Sequence, residues 1–145
     1  MFLPNNIVEN FQWIMAFDFG ESRIGVAVGN TLLKIPHPVA TITGRNKFEK
    51  LDKIKKLVES WQPKQFVVGM PSQIEDKEKL ILEIKRFANR IKHKFNLPYV
   101  FINEDYTSSI ANNKLNAQNI RGVAQKSKLD QLAACEILQF YFNLL

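Results

Sequence analysis

Residues 13–30 read WIMAFDFGESRIGVAVGN, and this stretch decides how the chain opens. From Gln12 to Val28 the residues are apolar and β-prone, broken by the four residues Gly20 to Arg23. Two such runs around a short polar break predict a β-hairpin. Gly29-Asn30 signals a second turn, and LLKIPHPVATIT follows it. Pro36 and Pro38 lack the amide proton that a ladder needs, so that third strand is predicted at a sheet edge. The opening is thus a three-stranded antiparallel meander.

Beyond it the hydrophobic period changes. Phe48, Leu51, Ile54, Val58 and Trp61 recur every three or four residues, the stripe of an amphipathic helix, with Asn46 and Glu49 as a capping pair and Pro63 as the stop. QFVVG is a short buried strand. Ser72-Gln73-Ile74-Glu75 reads as a capping box before a longer helix striped by Leu80, Ile84, Phe87, Ile91 and Phe95. YVFIN is strand-like again, Thr107 caps a short helix, and a last helix runs from about Ser127 towards Leu144. Strands that alternate with helices need crossovers and therefore lie parallel. The predicted fold is α/β: a mixed five-stranded sheet, antiparallel meander first and parallel strands after, with helices on both faces.

At 145 residues the chain is predicted to be one domain over 1–145, with residues 1–10 as a flexible lead-in. Hydrophobic residues at 46% supply a core, which excludes a disordered chain. The net charge of +6 favours a polyanionic partner. Cys135 is the only cysteine, which excludes an internal disulfide and a Cys-based zinc site. No apolar run reaches the roughly 18 residues of a membrane span, and MFLPNNIVENFQ is not a signal peptide. These features predict a cytoplasmic protein with no membrane partner.

Three acids occupy unusual places. Asp18 lies between two phenylalanines at the end of the first strand, Glu104 follows YVFIN, and Asp130 falls in the first turn of the last helix. Functional groups of open α/β sheets gather beyond the carboxyl ends of parallel strands. If the strands bearing Asp18 and Glu104 are neighbours, the two acids converge there, and a helix start above them adds Asp130. Three such carboxylates repel one another unless a hard cation neutralises them, which suits Mg²⁺ or Mn²⁺. Two such ions about 3.5–4 Å apart activate a water and stabilise the leaving oxygen in phosphodiester hydrolysis. Taken singly, each acid also has an ordinary reading. Asp18 is placed to hydrogen-bond its own backbone at a turn, Glu104 to be a solvated strand end, and Asp130 to share a helix cap with Ser127.

Together these blocks resemble a known family. AFDFGESRIGVAVGN is similar to the opening hairpin of the YqgF (RuvX) family of RNase H-like proteins, usually DxGxxRIGVAV. VVGMP resembles its VVGLP, FINEDYTS its DERLTT segment, and KSKLDQLAACEILQFYF its closing helix KxxxDxxAAxxILQxYL. The blocks stretch from Met15 to Phe142. The resemblance implies an RNase H-like fold and a metal-dependent nuclease whose catalytic and metal-binding acids are Asp18, Glu104 and Asp130. It also implies a role in maturing the 5′ end of 16S ribosomal RNA, or in resolving Holliday junctions. The chain departs from the pattern at Asn103, at Asp105 where Arg is usual, at Glu21 where Thr is common, and in the loop SQIEDKE.

From Tyr106 to Leu129 there is no acid, while Lys114, Arg121, Lys126 and Lys128 all fall there. A basic loop leading into Asp130 is suited to hold phosphates. Arg23, in the turn after the DxG, is a further candidate for a phosphate. The lysines from Lys47 to Lys56 are interleaved with Glu49 and Asp52, the pattern of an ordinary exposed helix face. His37 and His93 have no visible partner, and Cys135 reads as a small buried apolar residue.

Three functions follow for comparison. The first is a Mg²⁺- or Mn²⁺-dependent endonuclease acting on ribosomal RNA precursor, with a Holliday-junction-resolving DNA nuclease as its variant. The second is a non-catalytic RNA-binding module of the same fold. The third is an ATP-binding domain, because a DxG hairpin also opens sugar kinases and actin-like ATPases. Those folds enclose nucleotide between two related domains, and this chain has room for one. A precursor-RNA nuclease acts as a monomer, whereas a junction resolvase needs a homodimer to cut symmetric strands.

Overall fold

The computed structural model of the chain describes residues 11–71, 77–104 and 123–145. Its strands are β1 (Trp13–Phe19), β2 (Ile24–Asn30), β3 (His37–Ile42), β4 (Gln65–Met70) and β5 (Tyr99–Asn103). Its helices are α1 (Lys47–Trp61), α2 (Glu78–Phe95) and α3 (Val123–Asn143). The strands form one sheet in the order β3-β2-β1-β4-β5. The β1–β2 and β2–β3 pairs are antiparallel, and β1–β4 and β4–β5 are parallel. The proline-bearing β3 is an edge strand, as its missing amide protons require. The meander, the parallel crossovers and the five-stranded count all agree with the sequence reading.

One topological expectation needs correcting. The strands carrying Asp18 and Glu104 are not neighbours, because β4 runs between them.

Alternation along β1 sorts its side chains onto two faces. Met15 and Phe17 point to α1 and α2, where they pack with Leu51, Ile54, Ile84, Phe87 and Ile91. Ile14 and Ala16 point the other way, to Ala134, Ile137, Leu138 and Phe142 of α3. The expected sandwich of helices on both faces is therefore present.

Local signals set several boundaries. Asn46 caps α1 by accepting a 3.0 Å hydrogen bond from the Glu49 amide, and the helix ends at Gln62 in the left-handed region (φ 49°) just before Pro63. Phe48, expected on the buried stripe, is 67% exposed. It sits in the first turn of α1, whose Lys50 ammonium donates to the Glu21 carbonyl of the β1–β2 turn at 2.8 Å. The capping box at Ser72–Glu75 and the helix proposed after Thr107 lie outside the described residues.

The last helix begins at Val123, four residues before the expected start. Ser127 is consequently inside α3 and is not its cap, and Asp130 lies beyond the first turn. The Ser127 carbonyl instead accepts a 2.8 Å bond from the Thr41 hydroxyl of β3, and Gln131 Nε2 donates to the same hydroxyl at 3.2 Å. That pair of bonds clasps the N-terminal half of α3 to the sheet edge. Among the described residues, no helix is long and apolar enough to cross a membrane.

Candidate active site

Asp18 is in phase with Ile14 and Ala16, so it projects to the α3 face. It is 8% exposed, near the carboxyl end of β1. Its antiparallel partner on β2 is Gly25. On the other side, Phe17 pairs with Val68 in parallel register, which brings the next residues, Asp18 and Gly69, level on adjacent strands. Strand spacing puts them about 5 Å apart. Asp18 thus stands between two glycines on one row across the sheet.

Each glycine admits a different acid-bearing segment. A Cβ on Gly25 would run into the backbone carbonyl of Asp130, so the absence of a side chain lets α3 settle onto β2. A Cβ on Gly69 would lie 2.5 Å from Glu104 Oε1. Glu104, in phase with Ile102 on β5, therefore reaches over β4 towards Asp18. The intervening strand does not separate the acids, because at that level it carries only hydrogen. Asp130 above Gly25, Asp18 in the middle and Glu104 above Gly69 form one acidic row at the carboxyl ends of β1 and β4.

Sequence reading found the acids but missed both glycines. The signal was present in IGV and VVGM, since a glycine inside an apolar strand marks a close approach.

The electrostatics of the row are uneven. Arg23 Nε lies 2.6 Å from Asp130 Oδ2, a short charge-assisted bond joining the hairpin to α3 across 107 residues of sequence. Asp130 is 14% and Arg23 36% exposed at the side chain. Arg23, expected to meet phosphate, is thus held by an acid of the row. As the side chains stand, no group of three or more His, Cys, Asp or Glu among the described residues is arranged to hold a metal ion. In donor type the row still suits a hard divalent cation, because it offers carboxylate oxygens with no histidine or thiolate among them.

Lys126 and Lys128 are both exposed near the start of α3. They belong to a helix and not to the expected loop. Lys126 is about one turn before Asp130, roughly 6 Å along the axis, and so lies on the side of α3 that bears the acid. Lys114 and Arg121 lie outside the described residues, as does Asp105. Cys135 is partly buried on α3, and burial pushes its thiol up to about 11, consistent with an inert packing residue.

The likeness to known proteins covers the same residues. A model of the RuvX family, described as Holliday junction resolvase, matches residues 12–144. A Chromobacterium violaceum protein named "Putative pre-16S rRNA nuclease" is 48% identical over 131 residues, covering 89% of this chain and 96% of its own. A relative of the same name from Methylobacillus flagellatus is 43% identical over 142 residues, 97% of each chain. Among solved structures, T. thermophilus RuvC in complex with Holliday junction substrate superposes with a TM-score of 0.56, covering 92% of this chain and 94% of that one. At 12% identity that likeness is one of fold: the RNase H-like mixed sheet. With nearly the whole length matched by the family model and by relatives above 40% identity, the chain belongs to the RuvX family.

Proposed function

We propose that this chain is a divalent-metal-dependent endonuclease that hydrolyses phosphodiester bonds in 5′-end processing of 16S ribosomal RNA precursor. The observation that carries the reading is the acidic row, Asp130–Asp18–Glu104, assembled over Gly25 and Gly69 at the carboxyl edge of the sheet. The names of the relatives support ribosomal RNA precursor as substrate over a DNA junction. The reading takes residues 1–145 as a single RNase H-like domain acting in the cytoplasm.

The three acids would hold Mg²⁺ or Mn²⁺, which when bound supplies activation of water and neutralises charge developing at phosphorus. Asp18, rigid within β1 and almost buried, fixes the centre of the site. Glu104 and Asp130 close on it from opposite sides, on elements that the sequence brings from far apart. Lys126, Lys128 and Arg23, with Lys114 and Arg121, are assigned to the phosphate backbone, where they orient the scissile bond without reading bases.

A second reading, a nuclease that cuts four-way DNA junctions, rests on the description of the family. It requires a two-fold dimer, whereas the RNA reading is satisfied by a monomer. Both are tested by incubating the protein with ribosomal RNA precursor and with a four-way junction, with and without Mn²⁺. Metal-dependent cleavage of the RNA, lost in Asp18→Asn with folding and RNA binding retained, is expected. Asp18→Asn cleaving at the wild-type rate would remove Asp18 from the mechanism. Salt-sensitive RNA binding with no cleavage under any condition would make the protein a binding module.

A further inference from the structure

The ion pair between Arg23 and Asp130 has a consequence for how the acidic row is completed. Its Nε–Oδ2 separation of 2.6 Å is short, and the carboxylate is mostly shielded from water. A cation in that position does for Asp130 what a metal ion would do: it offsets the repulsion of Asp18 and Glu104. It also competes with such an ion for the same oxygen. This competition rests on the fit of the guanidinium to any anionic oxygen within its reach. It is relieved only when another anion takes the guanidinium.

The position of Arg23 supplies that anion. It lies at the end of the β1–β2 turn, directly before β2, and its side chain is about one-third exposed at the rim of the row. A guanidinium carries five N–H donors and matches phosphate geometry bidentately, and its bond to Asp130 is made through Nε. A nucleic-acid phosphate arriving at the row finds Arg23 more exposed than Asp18 and Asp130. Arg23 is bound within the hairpin and Asp130 within α3, and the Thr41 clasp keeps α3 in place when the pair parts.

We infer that Arg23 is a positioning residue that occupies Asp130 until a substrate phosphate draws it away, so that phosphate binding and completion of the metal site are coupled. The inference rests on the nuclease reading but concerns one residue that the acids alone do not require. It makes Mn²⁺ binding weaker in the free protein than the donor set would allow, and stronger once phosphate is present.

Measuring Mn²⁺ affinity without substrate, by titration calorimetry, tests this apart from activity. Wild type, Arg23→Gln, Arg23→Met, Arg23→Gln with Asp130→Asn, and Asp18→Asn are compared. Arg23→Gln and Arg23→Met should bind Mn²⁺ several-fold more tightly than wild type, and Asp130→Asn should cancel the gain. A folded Arg23 variant with unchanged or weaker affinity overturns the inference. If the Arg23 variants bind Mn²⁺ no more tightly while Asp18→Asn abolishes binding, the inference falls and the nuclease reading stands. Mn²⁺ binding that ignores Asp18→Asn defeats the metal reading itself. If neither Arg23 variant folds, the Arg23 Nε–Hε resonance of the wild-type protein decides. It should shift, and exchange faster with water, as Mg²⁺ is added together with inorganic phosphate. An unmoved resonance overturns the inference.

Discussion

Gly69 on β4 leaves room for Glu104 Oε1 at a point where a Cβ would stand 2.5 Å from it. The same Cβ would press on Ile137 Cδ1 of α3. Gly69→Ala is therefore expected to displace the Glu104 carboxylate more than the helix, since Glu104 is the longer and less buried side chain and Ile137 is packed in the core. Cleavage should drop at least tenfold while stability falls by about 1–3 kcal/mol, the usual cost of overpacking. Gly25→Ala meets the Asp130 backbone and should be worse on both counts. Denaturant melts beside cleavage rates separate the two variants; equal damage from both would contradict the distinction.

Thr41→Val removes the hydroxyl that joins the Ser127 carbonyl and the Gln131 amide to the edge strand. The expected loss is about 1 kcal/mol in urea unfolding. Because the clasp lies next to Asp130 in α3, cleavage should fall as well, whereas Asn46→Ala, which weakens the α1 cap by about 1 kcal/mol, should leave cleavage alone. Equal cleavage in the two variants would show that the clasp stabilises the fold without positioning the acid.

Lys126→Gln and Lys128→Gln together should weaken RNA binding across sequences without altering cleavage specificity. The slope of log affinity against log salt should shrink by roughly 0.7 for each lysine lying on a single-stranded phosphate. An unchanged slope removes both residues from the interface.

Cys135 carries a pH signature. Burial lifts its thiol from the ordinary 9.0 to about 11, so the folded chain holds this proton where the unfolded chain has released it. Its contribution to stability is complete below about pH 9 and is lost as pH climbs towards 11. Tyr141, raised by burial as well, acts with the same sign. Replacing Cys135 with Ala should flatten the alkaline part of the stability curve, leaving the tyrosine share. At pH 8 the native thiol should react with iodoacetamide far more slowly than in urea. Rapid alkylation of the folded protein would contradict the assignment.

The strands were legible because their signals are local. Gly20–Arg23 between two apolar runs, prolines inside LLKIPHPVATIT and Asn46 ahead of a helical stripe each act within a few residues. Sheet order was less so, since nothing in YVFIN states which strand it will lie beside. Phe48 misled because periodicity records which side of a helix is apolar and not which turns of that side are covered. The start of α3 was misplaced because Ser127 and Asp130 have the spacing of a cap although the helix already runs from Val123. The three acids were visible as candidates, yet the glycines that seat Glu104 over β4 and the Asp130 backbone over β2 gain their meaning only from the tertiary contacts. The partner of Arg23 likewise lies 107 residues away.

The order in which α3 enters the fold bears on how the protein behaves while it is being made. A chain synthesised only as far as residue 104 carries all five strands but not the helix bearing Asp130 and covering one face of the sheet. Such a nascent fragment exposes Ile14, Ala16, Ala27 and Val67 and has no third carboxylate. On the nuclease reading, such a chain would be unable to cut, even beside abundant RNA, until the helix has been synthesised.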